Sequence, residues 1–434
     1  MTGENGTTHR CCDEFDDYIR RLWAERRHSR RSFLTATVGA LAAAPIAPHM
    51  LLSSRLAERV SAAPASPGPI LVVIQLQGGN DGLNTIVPYG SPLYYHDRPT
   101  IAVPAKSVLP IDNTVGFNPN LAGLKSLYAQ GKVAVMQGVG YTNPNRSHFQ
   151  GTQIWETADP TLTTATGWLG RFLDAELNGN SNPLSAIAIG PMLPMTLQSA
   201  RAQVTAIESV NTFRFLVSRT NEGMILQAYE RMYGITSEKL PPYMGIVRAA
   251  GSDATQGVQD LQGINTHYTP SVAYPKNPLG AELQFVAQLI VANLGTRIFH
   301  VTLNGFDDHA AEVFTHAALL KALGDSVAAF HQDLTNHGKA DNVLMMTFSE
   351  FGRRVKENAG RGTDHGTAAP LFVIGDRVKG GMYGGDPVLS QLDSNGDLVY
   401  DIDFRSVYGT VIDGWLGGSS SQVLGGSFER LPFL

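Results

Sequence analysis

Five short clusters combine glycine or asparagine with acidic, hydroxyl or imidazole side chains near the ends of apolar runs. They are residues 78–82 (GGNDG), 145–148 (NRSH), 305–309 (GFDDH), 349–353 (SEFGR) and 362–366 (GTDHG). In an open α/β sheet, residues that follow the carboxyl ends of strands line the ligand-binding crevice. The clusters are therefore predicted to converge on one site. Their oxygen and imidazole donors, with one hydroxyl nucleophile, indicate metal-assisted hydrolysis.

Carboxylates and imidazoles in these clusters are candidate metal ligands. Asp307 and His309 alternate by two, so both side chains point to one side of an extended chain. Glycines on both sides of the 364–365 pair allow the backbone to bend around an ion. A turn in which Asp81 bonds its own backbone is the alternative for that residue, and helix capping is the alternative for Asp308. The candidate ligands are Asp81, Asp307, His309, Glu350, Asp364 and His365.

The expected metal is one that accepts oxygen and nitrogen ligands. Cys11 and Cys12 are the only cysteines, and both precede the predicted cleavage point, so the mature chain has no thiolate. Oxygen and imidazole donors suit Zn, Mn, Mg or Ca. The composition therefore predicts a divalent metal without selecting among these four.

Ser147 is the candidate nucleophile, because Thr142 to Asn145 predict a helix start just before it. A serine needs a base or a metal for activation, and His148 is the neighbouring candidate base. Arg353 or Arg146 is the candidate clamp for an anionic substrate. Helix capping by Ser147 and an ordinary surface ion pair for Arg353 are the alternatives that the residues leave open.

Residues 1–65 resemble a twin-arginine signal peptide. Arg30 and Arg31 lie directly before an alanine-rich apolar stretch, and residues 63–65 (APA) offer a small-residue cleavage site. The apolar stretch contains Pro45 and Pro48 and is too weakly hydrophobic for a comfortable membrane span. We expect export through the twin-arginine machinery to the periplasm, the cell envelope or the medium, with no stable membrane span in the mature protein.

The charge of the chain bears on its partners. The whole chain has a formal charge of −5; nine Lys or Arg and seven Asp or Glu precede residue 66, so the rest carries −7. Nucleic-acid affinity comes mostly from neutralising phosphates with basic residues. A mildly acidic protein is therefore not expected to bind nucleic acid, and the expected substrate is a small anionic ester or a glycan.

Alternating strand and helix patterns predict an α/β fold with parallel crossovers. Residues 66–434 are expected to form one domain, with a helical insertion around 211–267. Strands are predicted at 70–76, 133–136, 186–190, 297–303, 342–348 and 371–374, and helices at 121–130, 147–157, 171–177, 281–294, 310–337 and 405–416.

The motifs GGNDGLN (78–84), NRSHF (145–149), DDH (307–309), FSEFGR (348–353) and GTDHG (362–366) resemble those of a large bacterial family, domain of unknown function 1501. That family is similar to the alkaline phosphatase and sulfatase superfamily. The resemblance implies an alkaline-phosphatase-like fold, with three layers, a mostly parallel central sheet and helices on both faces.

The resemblance also implies roles for individual residues around one or two divalent metals. Asp81 matches the first aspartate of the superfamily, and Ser147 matches the nucleophile. Asp307 with His309 matches the middle pair, and His365 matches the final histidine. One departure is clear, because Phe351 follows Glu350 where the superfamily has Asp-His, so one histidine ligand is missing.

Three functions are compatible with these patterns. The first is an exported, metal-dependent hydrolase or transferase of a phosphate or sulfate ester. The second is a non-catalytic envelope protein of the same fold that binds an anionic glycan or a protein partner, which the missing histidine favours. A metal-dependent sugar or lipid transferase is not separable from the first by sequence.

Overall fold

A computed structural model describes residues 68–176, 182, 184–208, 231 and 268–434. The predicted signal segment at 1–65 lies outside the described residues. The predicted helical insertion at 211–267 also lies outside them, except for residue 231. Both remain predictions, together with the domain boundaries.

Two sheets lie in the described structure. Their strands are β1 Ile70–Gln77, β2 Ile86–Val87, β3 Leu109–Pro110, β4 Gly116–Phe117, β5 Val133–Gly140, β6 Ala186–Ile189, β7 Thr205–Ile207, β8 Ile298–Asn304, β9 Val343–Phe348, β10 Ala369–Ile374, β11 Gly381–Tyr383 and β12 Ile402–Asp403. A mixed sheet of nine strands forms the centre, in the order β11-β5-β10-β9-β1-β8-β6-β7, with β12 paired to β5. A small second sheet has the order β2-β4-β3.

The helices follow the predicted positions closely. Residues 412–416, which were expected to continue the last long helix, instead form a π-helical turn after it. The α-helices are α1 Gly82–Thr85, α2 Pro92–Asp97, α3 Ala122–Ala129, α4 His148–Thr157, α5 Trp168–Glu176, α6 Pro278–Ala292, α7 Glu312–Asn336, α8 Phe404–Val411 and α9 Ser420–Leu424.

Strand β1 shows why helices cover both faces of the sheet. All but one of its eight residues are buried and six of the eight are apolar, as expected for a strand that is covered on both faces. Val72 and Ile74 pack in one core with residues of α3, α6 and α7. Leu71 and Val73 pack in a second core with residues of α4, α5 and α8. The predicted three-layer α/β architecture is confirmed.

Helix α7 is long and apolar enough to meet the criteria for a membrane span, with a mean hydropathy of 1.2 over its best window. Its apolar side chains account for that value, because Leu320, Leu323, Val327 and Phe330 are all fully buried against the sheet. A core helix of this kind passes the same hydropathy test.

Strand β5 is longer than predicted. The apolar run predicted a strand at 133–136, but pairing continues to Gly140 despite two glycines. Gly138 has a φ of +59°, and its carbonyl accepts a hydrogen bond from the Asp401 N–H. The longer strand carries the buried Gln137 to the edge of the sheet.

The carboxyl ends of the strands meet at one edge. Strand β1 is parallel to β8 and β9, and β6 is parallel to β8. Strand β10 is antiparallel to both β9 and β5, so β5 runs in the same direction as β9. The loop that precedes β10 therefore reaches the same edge as the loops that follow β1, β5, β8 and β9.

Gly78 is a position where this edge requires glycine. Its φ is +121°, and an added Cβ would lie 2.2 Å from the Asp307 backbone nitrogen. Gly190 has a similar φ of +144° but has no atom within 4 Å of an added Cβ. We expect Gly190→Ala to cost about 1–3 kcal/mol of unfolding free energy from backbone strain alone.

Gly78→Ala should cost clearly more than Gly190→Ala, because the strand-end loops must also separate. Urea unfolding of the two variants and the parent measures the difference. Equal losses in the two variants would contradict the close approach of the loops.

Candidate active site

Three imidazoles surround the carboxylate of Asp307. The Nε2 atoms of His309 and His365 lie 2.9 and 3.2 Å from its Oδ1, and His148 Nε2 lies 3.3 Å from its Oδ2. His148, Asp307 and His365 each place one donor atom within 4.8 Å of the others. The chain thus brings together residues from the loops after β5, after β8 and before β10.

Each of the three imidazoles is oriented through its other nitrogen. His148 Nδ1 lies 2.9 Å from Glu350 Oε1, and His309 Nδ1 lies 3.3 Å from Asp364 Oδ1. His365 Nδ1 lies 2.8 Å from the backbone carbonyl oxygen of Arg146. Because carboxylates and carbonyls only accept, each Nδ1 carries the hydrogen, and a neutral ring then presents a lone pair on Nε2.

This convergence of three Nε2 atoms on one carboxylate suits a bound cation. His309 Nε2 and His365 Nε2 are 3.0 Å apart, and the Asp307 carboxylate, at 3.3 Å, is the polar group that the buried His148 Nε2 faces. Two nitrogens bound to one tetrahedral zinc at about 2.0–2.1 Å lie about 3.3 Å apart. His148, His365 and Asp307 therefore fit a divalent metal, with His309 Nε2 next to two of them, and nitrogen-rich ligation favours zinc over Mg or Ca.

The charges in the cluster are strongly coupled. Burial would raise the pKa of the Asp307 carboxyl, but contacts with His148, His309, His365 and Arg353 hold it far below its usual range. Burial would lower the pKa of His148, but the carboxylates of Asp307 and Glu350 raise it to about 9. A metal at the centre must displace this proton from His148 before the nitrogen can bind it.

Arg353 lies beneath the cluster with its side chain almost fully buried. Its Nε donates to Gly79 O at 2.7 Å, its Nη1 donates to Thr363 O at 2.8 Å, and its Nη2 donates to Phe306 O and Asp307 Oδ1, both at 2.8 Å. Nη2 also donates to Gly78 O. The guanidinium therefore holds the strand-end loops together, and these donors are directed at protein acceptors rather than at the crevice.

Asp81 lies apart from the imidazoles, in a buried cluster of its own. Its Oδ2 pairs with the fully buried Arg98. Burial raises the pKa of Glu312 to about 9, and the neighbouring Asp81 carboxylate adds to this. Burial would raise the pKa of Asp81, but Arg98 and a hydrogen bond from Glu312 lower it to about 2. Glu312 is therefore the protonated partner and Asp81 the ionised one.

Ser147 and Arg146 lie at the start of α4. Ser147 is the N-cap residue and is exposed, and its hydroxyl makes no capping hydrogen bond in the described part of the chain. Arg146 donates from Nε to Asp397 at 2.9 Å and from Nη2 to Asp393 at 3.3 Å, and its side chain is partly exposed. Ser147 is therefore accessible, whereas two of the guanidinium nitrogens of Arg146 are engaged.

The candidate ligands from the sequence thus fall into three groups. Asp307, His309 and His365 face a common centre, Glu350 and Asp364 hold imidazole rings, and Asp81 pairs with Arg98. The sequence assigned His148 to Ser147 as a base, but both of its nitrogens face carboxylates.

Arg98 and Glu312 were not identified from the sequence. Arg98 lies in a proline-rich stretch, and Glu312 looks like an ordinary acidic residue in the first turn of a helix. Arg98 lies 17 residues after Asp81, and Glu312 lies 231 residues after it. These separations gave no signal of a buried charge cluster.

The buried contacts of Arg353 generate one prediction. Arg353→Met leaves four backbone carbonyls and Asp307 without their donor, so the unfolding free energy should fall by about 3–5 kcal/mol. The adjacent Arg354, whose side chain is 42% exposed, is the matched control, and Arg354→Met should change stability by about 0.5 kcal/mol or less. Urea unfolding measures both, and similar values for the two variants would refute the role of Arg353.

The protonated state of Glu312 generates a prediction about how stability depends on pH. Its pKa of about 9 in the folded protein exceeds the unfolded value of about 4.3, so the stability due to its proton is lost as pH rises towards 9. Glu312→Gln keeps a neutral side chain at every pH. The unfolding free energy of the parent relative to this variant should therefore fall between pH 5 and pH 9.

Urea unfolding at pH 5, 7 and 9 checks this dependence, with the exposed Glu429→Gln as control. Parallel pH profiles for the parent and Glu312→Gln would show that Glu312 is ionised in the folded protein.

Several solved structures are similar to the chain at low sequence identity. A sulfatase, PsFucS1 from Pseudoalteromonas sp., is 13% identical with a TM-score of 0.37, covering 86% of this chain and 72% of its own. The C-terminal periplasmic domain of EcEptC from Escherichia coli, in complex with Zn, is 12% identical with a TM-score of 0.28. This match covers 72% of our chain and 75% of the EcEptC domain. A protein in the alkaline phosphatase superfamily from Vibrio parahaemolyticus is 8% identical with a TM-score of 0.30. This match covers 75% of our chain and 64% of the Vibrio protein.

Sequence comparison with curated proteins gives no match. The profile of one protein family matches residues 134–395, which is more than half of the chain and includes four of the five clusters. The resemblance expected from the motifs is thereby confirmed, and the chain belongs to the family described as protein of unknown function (DUF1501).

Proposed function

We propose that this protein is an exported, metal-dependent hydrolase of a phosphate or sulfate ester, with a divalent ion, best fitted by zinc, bound to His148, His309, His365 and Asp307. One observation carries the proposal: three imidazole Nε2 atoms and one carboxylate converge, while an acceptor holds each Nδ1. Such acceptors behind metal-binding histidines orient the rings and raise their basicity.

A bound zinc ion supplies Lewis acidity toward an ester oxygen and lowers the pKa of a hydroxyl beside it. The residues around it supply position and charge. Glu350 is fully buried and also accepts from the Gly78 N–H at 2.9 Å, so it keeps the ring of His148 fixed. Asp364 and the Arg146 carbonyl do the same for His309 and His365.

Ser147 is the proposed nucleophile. Its hydroxyl is exposed and directly precedes the ligand His148, at the N-terminus of the ten-residue helix α4. Backbone N–H groups at a helix N-terminus stabilise an anion. Both nitrogens of His148 face carboxylates, so activation of Ser147 is assigned to the metal rather than to His148.

Anion binding is proposed for the start of α4 together with Arg146, which is partly exposed at the crevice. Arg353, the other candidate, directs its donors at backbone carbonyls and Asp307, so its proposed role is to position Asp307 and the loops. Export by the twin-arginine route belongs to the same proposal and is supported by Arg30 and Arg31 before an apolar stretch.

Metal analysis and hydrolysis assays on the exported protein test this function together. We expect about one divalent ion per chain by mass spectrometry, and turnover of p-nitrophenyl phosphate or p-nitrophenyl sulfate. His365→Ala should lose both the ion and the activity. Glu350→Gln should bind the ion about 10–100-fold more weakly. Ser147→Ala should keep the ion and lose turnover.

His96→Ala, at a side chain that is 76% exposed, is the matched control and should keep both properties. Circular dichroism shows whether each variant is folded. A folded parent protein that binds none of Zn, Mn, Mg and Ca would refute the metal site. Metal binding without turnover of either ester would refute the hydrolase and favour a non-catalytic binding protein.

A further inference from the structure

Asn358 lies in the connection between β9 and β10, outside the five clusters of the sequence. Its Nδ2 donates to the backbone carbonyl oxygen of His309 and to Asp364 Oδ1, both at 3.0 Å. Its Oδ1 accepts from the N–H groups of Gly360 at 2.8 Å and Gly362 at 3.2 Å. A side-chain amide has two N–H donors and one oxygen with two lone pairs, so all of its capacity is used and its orientation is unique.

The two donor bonds of Asn358 act on one candidate metal ligand. Asp364 Oδ1 lies 3.3 Å from His309 Nδ1, but the Asp364 side chain is 54% exposed. An exposed contact of this kind stabilises little by itself, because water competes for the carboxylate and the side chain can rotate away. The Asn358 amide donates to the same oxygen and holds the carboxylate against the ring. Burial would raise the pKa of Asp364, but hydrogen bonds from Asn358 and His309 lower it, so the carboxylate stays ionised.

The two acceptor bonds of Asn358 shape the turn that packs against His309. A Cβ added at Gly362 would lie 2.4 Å from the His309 carbonyl carbon, so the turn and the backbone of His309 are in direct contact. The Ala311 N–H donates to the Gly360 carbonyl oxygen at 3.0 Å. The Asn358 side chain therefore sets the position of the connection between β9 and β10 relative to the loop after β8.

The backbone that leads to Asn358 is anchored independently of the imidazoles. The buried guanidinium of Arg98 donates from Nε to Val355 O and from Nη2 to Arg354 O, both at 2.8 Å. Arg98 also pairs with the buried Asp81. Ligands are held in a binding geometry by residues that are themselves fixed by packing and hydrogen bonds. The segment before Asn358 meets this condition, so its amide is in place before an ion binds.

We propose that Asn358 is the positioning residue for His309, because its amide holds both the carbonyl oxygen of that residue and the carboxylate behind its ring. His309 Nε2 then stays directed at the centre that it shares with His365 and Asp307. The inference rests on the proposed metal site. It adds that the affinity of this site for zinc depends on an uncharged side chain outside the ligand set.

The variant Asn358→Asp separates the donor bonds from the acceptor bonds, because a carboxylate of nearly the same size keeps an oxygen for Gly360 and Gly362 but cannot donate. Titration of the metal-free protein with Zn²⁺ against a chromophoric chelator at pH 8 measures the dissociation constant. We expect this constant to rise about tenfold, the lower end of the effect of substitutions behind metal ligands. The added negative charge would by itself favour a cation, so weaker binding reports lost position.

A second variant, Asn358→Ala, removes all four bonds and should weaken Zn²⁺ binding at least as much. In the His309→Ala background neither substitution should weaken binding further, because the ring that Asn358 positions is absent. Asn113→Asp adds the same charge at an exposed asparagine and should leave the dissociation constant unchanged. Urea unfolding shows whether each metal-free variant is folded.

Parental Zn²⁺ affinity in folded Asn358→Asp and Asn358→Ala would overturn the role of Asn358 and leave the metal site in place. An equal loss in the His309→Ala background would also overturn it, since Asn358 would then act on the loop as a whole. A parent protein that binds no Zn²⁺ would refute the metal site and this role together. A tenfold loss in variants of a protein that hydrolyses neither ester would support the role of Asn358 and refute the hydrolase alone.

Discussion

The buried guanidinium of Arg353 joins loops that are far apart in sequence. It donates to carbonyls that follow β1, to a carbonyl that follows β8 and to one in the loop before β10, and it also pairs with Asp307. A buried charge is tolerated only when its donors are satisfied. The positions of the three loops are consequently coupled, and the imidazoles that they carry are held at one centre.

Two buried arginines and one protonated carboxyl group determine how much negative charge remains at the candidate metal site. Arg98 neutralises Asp81, and a proton held by Glu312 prevents a second carboxylate charge beside it. Arg353 takes part of the charge of Asp307. The remaining donors are imidazole nitrogens and the Asp307 carboxylate, which suit one ion. The ring of Phe351 packs against those of His148 and His365, with centroid distances of 4.9 and 4.5 Å, and adds no ligand atom.

Arg146 links the imidazole cluster to a neighbouring loop. Its carbonyl oxygen lies 2.8 Å from His365 Nδ1, and its Nε donates to Asp397 at 2.9 Å. The turn that contains Asp397 and the ring of His365 are therefore positioned together.

The sequence by itself determined the alternation of strands and helices and the sheet edge where the clusters meet, because apolar periodicity and glycine-rich strand ends are local properties. The three layers followed from the family resemblance of its motifs. The sequence also named Asp307, His309 and His365 among six candidate ligands, without separating them from Asp81, Glu350 and Asp364. Only the tertiary structure decided which polar group each side chain faces. Asp81 pairs with Arg98, Glu350 holds His148, and Arg353 bonds carbonyls, since these contacts depend on burial and on loops brought together by the sheet.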